Sequence, residues 1–294
     1  MRIALATCED LPTWEVDDLP LHRALVARGA QLALPAWSDS TVDWAAFDVC
    51  LIRTTWDYQE RREEFLAWTR QVAAVTCLLN PPHVVEWNTH KSYLADLNDR
   101  GVSTLPTVWL RPGAAPPVAG VMSRRGWTRG FLKPAIGATA RETLRFDISE
   151  EGLAAAQAHA DRLLAAGEQL LLQPYCDAVE SHGEVSAIFI EGRLSHGVRK
   201  IPVAGDYRVQ DDFGASDEPH CFDDDELALA EQALAAVGER LLYGRCDMLR
   251  DEQRRPRLTE LELVEPSLFF RHAPLAADQL ADALLLRLAP SDPG

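Results

Sequence analysis

Lysine is scarce in this 294-residue sequence. Of the 29 basic residues only three are lysines, and they lie far apart at Lys91, Lys133 and Lys200. Because arginine occupies almost all other basic positions, a lysine indicates a position that needs a compact ammonium charge. Contact with phosphate oxygens is one such need. The alternative is that the three lysines share no role and are remnants of drift.

Long apolar runs and paired cysteines are also missing. No run approaches the roughly 20 residues of a membrane helix, and the N-terminal residues lack the pattern of a signal peptide, which predicts a cytoplasmic protein. The six cysteines include no CxxC pair, so we interpret them as reduced and structural. The net charge of -16 argues against a general nucleic-acid binder, and an anionic ligand would need locally placed cations.

Four common active-site signatures are absent as well. The sequence has no GxGxxG dinucleotide fingerprint, no GxxxxGK[ST] phosphate loop, no HExxH zinc motif and no GxSxG nucleophile elbow. A nucleotide, if one binds, must therefore be held in another way. His90 and His196 are isolated histidines, which are usually structural, and we leave them out of the catalytic set.

The pattern of elements predicts three lobes of mixed α/β and α+β class. Residues 1–87 alternate short apolar strands with amphipathic helices, which is typical of βαβ units around a mostly parallel sheet. Residues 88–168 predict a small α+β lobe. Residues 169–294 predict a second α+β lobe in which several antiparallel strands are flanked by helices.

The stretch LTELELVEPS, residues 258–267, carries two glutamates in a segment that otherwise patterns as a buried strand. Strand side chains alternate faces, so Glu260 and Glu262 share one face with their Cβ atoms about 7 Å apart. Two like charges on a partly buried face are unfavourable unless a cation lies between them or water reaches them. The segment alone leaves both a divalent metal site and an exposed edge strand open.

Several residues occur in an order that resembles the ATP-grasp family, and most closely its glutathione synthetase and ribosomal-protein glutamate ligase branch. The ordered features are Lys91, GFLKP with Lys133, LLQPY, Glu184 after a glycine, Asp247 on a strand, and the Glu-Leu-Glu strand. The resemblance implies a Rossmann-like N-terminal lobe followed by two α+β lobes that hold ATP between them. Glu262 departs from the branch, which has asparagine there, although a carboxylate can also bind Mg²⁺.

The resemblance also implies roles for individual residues. Lys91 and Lys133 would contact nucleotide phosphates, and Glu184 would accept hydrogen bonds from the ribose. Asp247, Glu260 and Glu262 would hold two Mg²⁺ ions at the β- and γ-phosphates. The adenine edge would pair with the backbone of Gln173, Pro174, Tyr175 and Cys176.

Two further cations follow the ribose candidate where this branch places a phosphate-binding residue. We predict that Arg208 clamps the γ-phosphate and the acyl-phosphate formed from it, because a guanidinium matches phosphate oxygens with two hydrogen bonds. Lys200 is the second catalytic candidate, although Arg199 beside it weakens the case. The loop after Lys133 contains one glycine, fewer than the lids of this family often have.

The N-terminal lobe offers a substrate site at IRTTWDYQ, residues 52–59, where a strand ends. Ligands of open α/β sheets bind at such ends, so we predict that Arg53 pairs with a substrate carboxylate and Asp57 with an ammonium group. Trp56 and Tyr58 complete this predicted substrate set with Ser267, which lies behind the acidic strand. The alternative is a structural loop with Trp56 packed beneath it.

These loop residues, the WN-x-x-K spacing up to Lys91 and the ending LELVEPSLF are similar to the ATP-grasp cyclo-ligases that close O-ureidoserine to the antibiotic cycloserine. The resemblance implies an ADP-forming ligase that uses ATP and Mg²⁺ and acts through an acyl-phosphate on a small amino-acid-like substrate. The carboxylate and the amine could belong to one molecule or to two. A nucleotide-binding module without turnover and a phosphotransferase remain alternatives, and a homodimer is common in such families.

Overall fold

The N-terminal lobe is a parallel sheet with helices around it. The structure is a computed structural model that describes residues 1–11, 17–138, 140–209 and 214–289. Strands β1 (Arg2–Thr7), β2 (Gln31–Ala33), β3 (Val49–Thr54) and β4 (Cys77–Leu79) pair in the order β2-β1-β3-β4, all parallel. Every residue of β3 is buried, as expected for a strand covered on both faces. The predicted βαβ architecture is confirmed.

Three helices and two single 3₁₀ turns surround this sheet. The helices are α1 (Leu19–Ala27), α2 (Arg62–Ala73) and α3 (Pro82–Asn88), and the turns are Trp44–Ala46 and Tyr58–Glu60. Helix α2 buries Phe65, Leu66, Trp68 and Val72, which recur at helical spacing on one face. The turn Tyr58–Glu60 follows β3 directly and places the predicted substrate loop at the carboxyl end of the strand.

The small lobe contains an antiparallel sheet in the order β5-β8-β6-β7. Its elements are α4 (Tyr93–Asp99), β5 (Val108–Leu110), α5 (Val118–Arg125), β6 (Arg129–Pro134), β7 (Leu144–Asp147), α6 (Glu150–Ala165) and β8 (Leu170–Pro174). Strand β8 pairs with β5 and β6, whereas the sequence placed all residues from 169 onward in the next lobe. Leu170–Pro174 therefore pairs within the small sheet.

The large lobe contains an antiparallel sheet in the order β11-β10-β9-β12-β13. Its elements are α7 (Ala178–Ser181), β9 (Glu184–Ile190), β10 (Arg193–Ile201), β11 (Ser216–His220), α8 (Asp224–Ala235), β12 (Tyr243–Arg250), β13 (Pro256–Glu262) and α9 (Pro274–Leu288). Strands β9 and β10 form a hairpin whose turn residues Glu191 and Gly192 both have positive φ.

One hydrophobic core joins the N-terminal lobe to the large lobe. Leu51 of β3, Ile188 of β9 and Leu280 of α9 are all fully buried in it. Because α9 packs against both α1 and β9, the two lobes are fixed to each other through shared apolar surface. Among the described residues, no helix has the length and apolar character needed to span a membrane.

Candidate active site

A cavity of about 270 Å³ lies where the three lobes meet. All three lysines of the chain line it, which argues against their being unrelated remnants. The predicted site residues that line it are Trp56, Tyr58, Lys91, Lys133, Gln173, Pro174, Tyr175, Cys176, Glu184, Lys200, Arg208, Asp247, Glu260, Glu262 and Ser267. Residues distant in sequence are therefore brought to one place by the fold.

Three carboxylates form an acidic cluster on two neighbouring strands of the large sheet. Asp247 of β12 pairs directly with Glu260 of β13, and Glu262 follows two positions later on the same face. One oxygen of each carboxylate lies within 4.8 Å of the others. Oxygen ligands in this number and proximity suit a hard divalent cation such as Mg²⁺.

Cations of the chain itself neutralise this acidic cluster. The Lys91 Nζ atom lies 2.6 Å from Glu260 Oε1. The Arg245 guanidinium contacts both Asp247, at 3.0 Å, and Glu262, at 2.5 Å. The two glutamates of the acidic strand are thus compatible with a partly buried face because each has a positive partner.

The environment shifts the pKa values of the three carboxylates in different directions. Burial raises the pKa of Glu262 to about 8, even though Arg245 opposes the shift. Burial also disfavours the charged form of Glu260, but Lys91 and Lys133 outweigh it and lower its pKa. At Asp247 burial is again outweighed, here by Arg245 and Lys200, and the pKa lies well below its usual range. The cluster therefore carries unequal proton affinities within a few ångströms.

Lys200 is held between a buried carboxylate, Asp247, and a partly buried one, Glu184. Its ammonium contacts Glu184 and lies 3.4 Å from Asp247 Oδ2. Burial disfavours the charge of Lys200, but Asp247 and Glu184 outweigh that effect and raise its pKa. The pKa of Glu184 is also raised, because burial outweighs the opposing effect of Lys200. Lys200 thus links the ribose candidate to the acidic cluster.

Lys133 contrasts with the other two lysines. Its side chain is buried, and its ammonium donates to the carbonyl oxygen of Thr259 at 3.2 Å. Within the described parts of the chain it forms no ion pair at 4 Å or less, and burial lowers its pKa. A buried ammonium that lacks a close anion is poised for an anionic ligand.

Strands β6 and β8 of the small sheet and the residues that follow β8 line another part of the cavity. Gln173 is buried and its side-chain amide donates to the Thr107 hydroxyl at 2.9 Å. Tyr175 packs among Phe131 and Tyr207, with the Arg129 guanidinium 4.4 Å from the centre of its ring. Flat apolar surface beside backbone polar groups is the kind of surface that binds a nucleobase.

The loop between β6 and β7 reaches over the cavity. The Lys91 ammonium donates to the Gly137 carbonyl at 2.7 Å, and the Ala138 amide donates to the side chain of Gln59 in the N-terminal lobe. The Tyr207 hydroxyl also lies 3.0 Å from the Thr143 hydroxyl. Residues of all three lobes therefore contact this loop. The loop itself has few glycines.

Arg208 lines the cavity and is bonded within its own loop. Its Nη2 atom lies 2.7 Å from Asp206 Oδ2, and its backbone amide donates to the same side chain. The Asp206 hydrogen bonds raise the pKa of the already cationic guanidinium. The structure thus brings Arg208 to the cavity, while its contact with a phosphate stays a prediction.

Arg53 and Asp57 are not among the described residues that line the cavity. Arg53 is buried, pairs with Asp18 at 2.8 Å and donates to the Pro266 carbonyl at 3.1 Å. Asp57 accepts a hydrogen bond from Trp37 Nε1 at 2.7 Å. Both side chains are bonded within the protein, and their contact with substrate stays a prediction.

Arg245 and Glu265 line the cavity and are not among the residues that the sequence predicts for the site. Arg245 lies two positions before Asp247, so strand alternation places both on one face, and that spacing could have identified it. Glu265 follows the acidic strand in a loop, where no periodic pattern exists to indicate its direction. Both residues change the charge balance of the site.

Comparisons with known proteins extend this description. Residues 3–80 match the family model for the N-terminal domain of D-cycloserine synthetase DcsG. The chain is 35% identical over 290 residues to the cycloserine biosynthesis protein DcsG of Streptomyces lavendulae, covering 94% of this chain and 95% of that protein.

Solved structures show the same fold. The crystal structure of D-cycloserine synthetase DcsG matches with a TM-score of 0.88 and 32% identity, covering 98% of this chain and 100% of the other. The ATP-grasp ligase PsnB, complexed with minimal precursor, Mg and ADP, matches with a TM-score of 0.64 at 16% identity, covering 98% of each chain. The expected ATP-grasp fold is confirmed.

Proposed function

The chain belongs to the DcsG family of ATP-grasp ligases, and from this premise we propose that it converts O-ureido-D-serine to D-cycloserine while ATP becomes ADP. The observation that carries the proposal is the position of the cavity where the lobes meet. The cavity joins Trp56 and Tyr58 of the DcsG-like N-terminal lobe to the acidic cluster of the large lobe. A small substrate bound by the N-terminal lobe can present its carboxylate to a phosphate bound at the acidic cluster.

The cations that line the cavity support binding of ATP there. Lys133 offers an ammonium without a close anion, and Lys91 and Arg208 add charge at the same cavity. The acidic cluster would hold Mg²⁺, and we propose two ions there, which would neutralise phosphate charge. The wall of residues 173–176 would contact adenine, and Glu184 would bond to the ribose.

The proposed reaction passes through an acyl-phosphate. A carboxylate oxygen of the substrate attacks the γ-phosphorus, and ADP leaves. The nitrogen bonded to the ether oxygen then attacks the acyl carbon, phosphate leaves, and a five-membered ring closes. Lys133 and Arg208 would stabilise the charge on the transferring group, and the β6–β7 loop would keep water away from the acyl-phosphate.

The balance of atoms adds one requirement. O-ureido-D-serine carries a carbamoyl group on the attacking nitrogen, and cycloserine does not. The overall conversion must therefore also release that group, as carbon dioxide and ammonia, with water entering at the carbamoyl carbon. Ammonia release thus provides a measurement of ring formation that is independent of ADP.

The test is ADP release with Mg²⁺ and ATP, followed by the mass of the product. O-ureido-D-serine is offered alone and with an added amine, beside D-serine and D-alanine. The proposal expects ADP, ammonia and a ring-closed product from O-ureido-D-serine alone. Turnover only with a second amine would identify an intermolecular ligase, and a stable product heavier by a phosphoryl group would identify a phosphotransferase.

Two further expectations accompany this function without a test in the structure. A cytoplasmic location and a homodimer stay predictions.

For the division into lobes, we propose that the N-terminal lobe ends near residue 87 and that the small lobe extends to Pro174, because β8 completes the small sheet.

A further inference from the structure

Glu265 is a buried carboxylate at the substrate end of the cavity, and the roles described above do not use it. It is 7% exposed and lines the cavity three residues beyond Glu262. Its carbonyl oxygen lies 3.4 Å from Trp56 Nε1, and Tyr58 forms a hydrogen bond with its side chain. Glu265 therefore lies where the N-terminal lobe meets the acidic cluster.

The other carboxylates of the cavity all have a cation partner. Asp247 contacts Arg245 and Lys200, and Glu262 contacts Arg245. Glu260 contacts Lys91 and Glu184 contacts Lys200. Within the described parts of the chain, Glu265 forms no such pair at 4 Å or less, and it does not belong to the acidic cluster. Its negative charge is the one that lacks a close counter-charge.

The neighbouring cations are already bonded to other groups. Arg245 donates to Asp247, to Glu262 and to the Ser267 carbonyl. Lys91 bonds to Glu260 and to the Gly137 carbonyl. Burial raises the pKa of Glu265, and its own backbone amide, the charges of Arg245 and Lys91 and the Tyr58 hydrogen bond offset this only in part. A cationic ligand in contact with this buried carboxylate would therefore be favoured.

The turn that carries Glu265 is held in place by the N-terminal lobe and, through the hydrogen bond from Arg245 to the Ser267 carbonyl, by the large lobe. Arg53 donates to the Pro266 carbonyl at 3.1 Å, and the Ser267 hydroxyl lies 3.0 Å from Asp17 Oδ2. Trp56 and Tyr58 add aromatic surface beside the carboxylate. A fixed carboxylate next to aromatic rings is a site for a primary ammonium group.

We propose that Glu265 binds the α-ammonium group of the amino-acid substrate and so selects amino acids over simple carboxylic acids. This inference rests on the proposed function for the presence of an amino-acid substrate. It assigns the ammonium to Glu265 in place of Asp57, whose side chain is bonded to Trp37 and Arg61. Glu265 thereby fixes the substrate so that its carboxylate faces the acidic cluster.

The experiment measures binding by calorimetry on the full chain with Mg²⁺ and a non-hydrolysable ATP analogue. The two titrants are O-ureido-D-serine and the same compound with hydrogen in place of the α-amino group. The proteins are the wild type, Glu265→Gln, Glu265→Asp and the control Glu252→Gln, which changes an exposed glutamate in a turn.

The wild type and the control are expected to bind the amino compound about 10- to 100-fold more tightly than the deamino compound, as for a charge-assisted hydrogen bond. Glu265→Gln should abolish most of this preference and leave the Kd of the deamino compound within about threefold. Glu265→Asp should retain part of the preference, and it replaces Glu265→Gln in the comparison if that variant does not fold.

Three results would overturn the inference: a wild type that binds neither compound, a wild type without preference, or equal weakening of both compounds by Glu265→Gln. Product mass from the same preparations separates this inference from the proposed function. Intact preference without a ring-closed product would reject only the ring closure. A ring-closed product without preference would reject only the role of Glu265.

Discussion

Arg245 and Glu262 face each other across β12 and β13, and the guanidinium Nη2 atom lies 2.5 Å from the carboxylate Oε1 atom. The same guanidinium also bonds to Asp247. Since both carboxylates belong to the acidic cluster, the chain supplies its own cation where Mg²⁺ is proposed to bind. Arg245 therefore stabilises the cluster in the absence of an ion.

Replacing Arg245 by methionine should lower the free energy of unfolding by about 2 to 3 kcal/mol without Mg²⁺, because Glu262 loses its cation partner and the buried Asp247 loses one of two. Adding Mg²⁺ with ADP should raise the free energy of unfolding of the variant by more than it raises that of the wild type. Urea unfolding with and without the ligands measures both quantities. Arg255→Met, at an exposed arginine, is the control, and a stability equal to the wild type without Mg²⁺ would contradict this role.

Glu260→Gln should decrease Mg²⁺-dependent ADP formation by about 100-fold or more, because it removes a negatively charged ligand from the acidic cluster. The melting temperature should remain close to that of the wild type, since Glu260 is partly exposed. Glu231→Gln, on an exposed face of α8, should leave the rate unchanged. Normal turnover by Glu260→Gln would remove Glu260 from the metal site.

Arg53→Lys and Arg53→Ala should raise the KM of the carboxylate substrate about tenfold and that of ATP by about twofold or less. Arg53 holds the Pro266 carbonyl, so its loss should displace the turn that carries Glu265 and Ser267. Steady-state kinetics with each substrate varied in turn give both constants. Equal increases in the two constants would reject a role for Arg53 in substrate binding.

Gln59→Ala should loosen the closed position of the β6–β7 loop, because the Gln59 side chain accepts a hydrogen bond from the Ala138 amide. We expect the amount of ADP formed without ring-closed product to increase about two- to tenfold, as water reaches the acyl-phosphate. The ratio of ADP to ammonia measures this uncoupling. Gln253→Ala, in an exposed turn, is the control, and an unchanged ratio would show that Gln59 does not govern closure.

Much of the fold could be predicted because apolar strands and amphipathic helices alternate clearly along the chain. Two features could not. The assignment of β8 to the small sheet depends on pairing with β5 and β6, and periodicity does not indicate which strands become neighbours. The second feature is the break between α3, which ends at Asn88, and α4, which starts at Tyr93, where the Lys91 amide bonds to the distant Ala135 carbonyl.

Part of the site could likewise be predicted from the sequence, and part could not. Strand alternation correctly places Glu260 and Glu262 on one face, and the order of motifs correctly brings the lysines to one cavity. The pairing of Arg245 with Glu262 depends on the register of two strands, which the sequence does not specify. The direction of Glu265 depends on a turn held by distant residues.

The oxygen-18 content of the released phosphate tests the acyl-phosphate route. O-ureido-D-serine labelled with oxygen-18 in its carboxylate is converted by the wild type in unlabelled water, and the phosphate is analysed by mass spectrometry. Transfer of one labelled oxygen to each phosphate is expected, because the attacking carboxylate oxygen leaves with the phosphoryl group. Unlabelled phosphate formed together with a ring-closed product would contradict the mechanism.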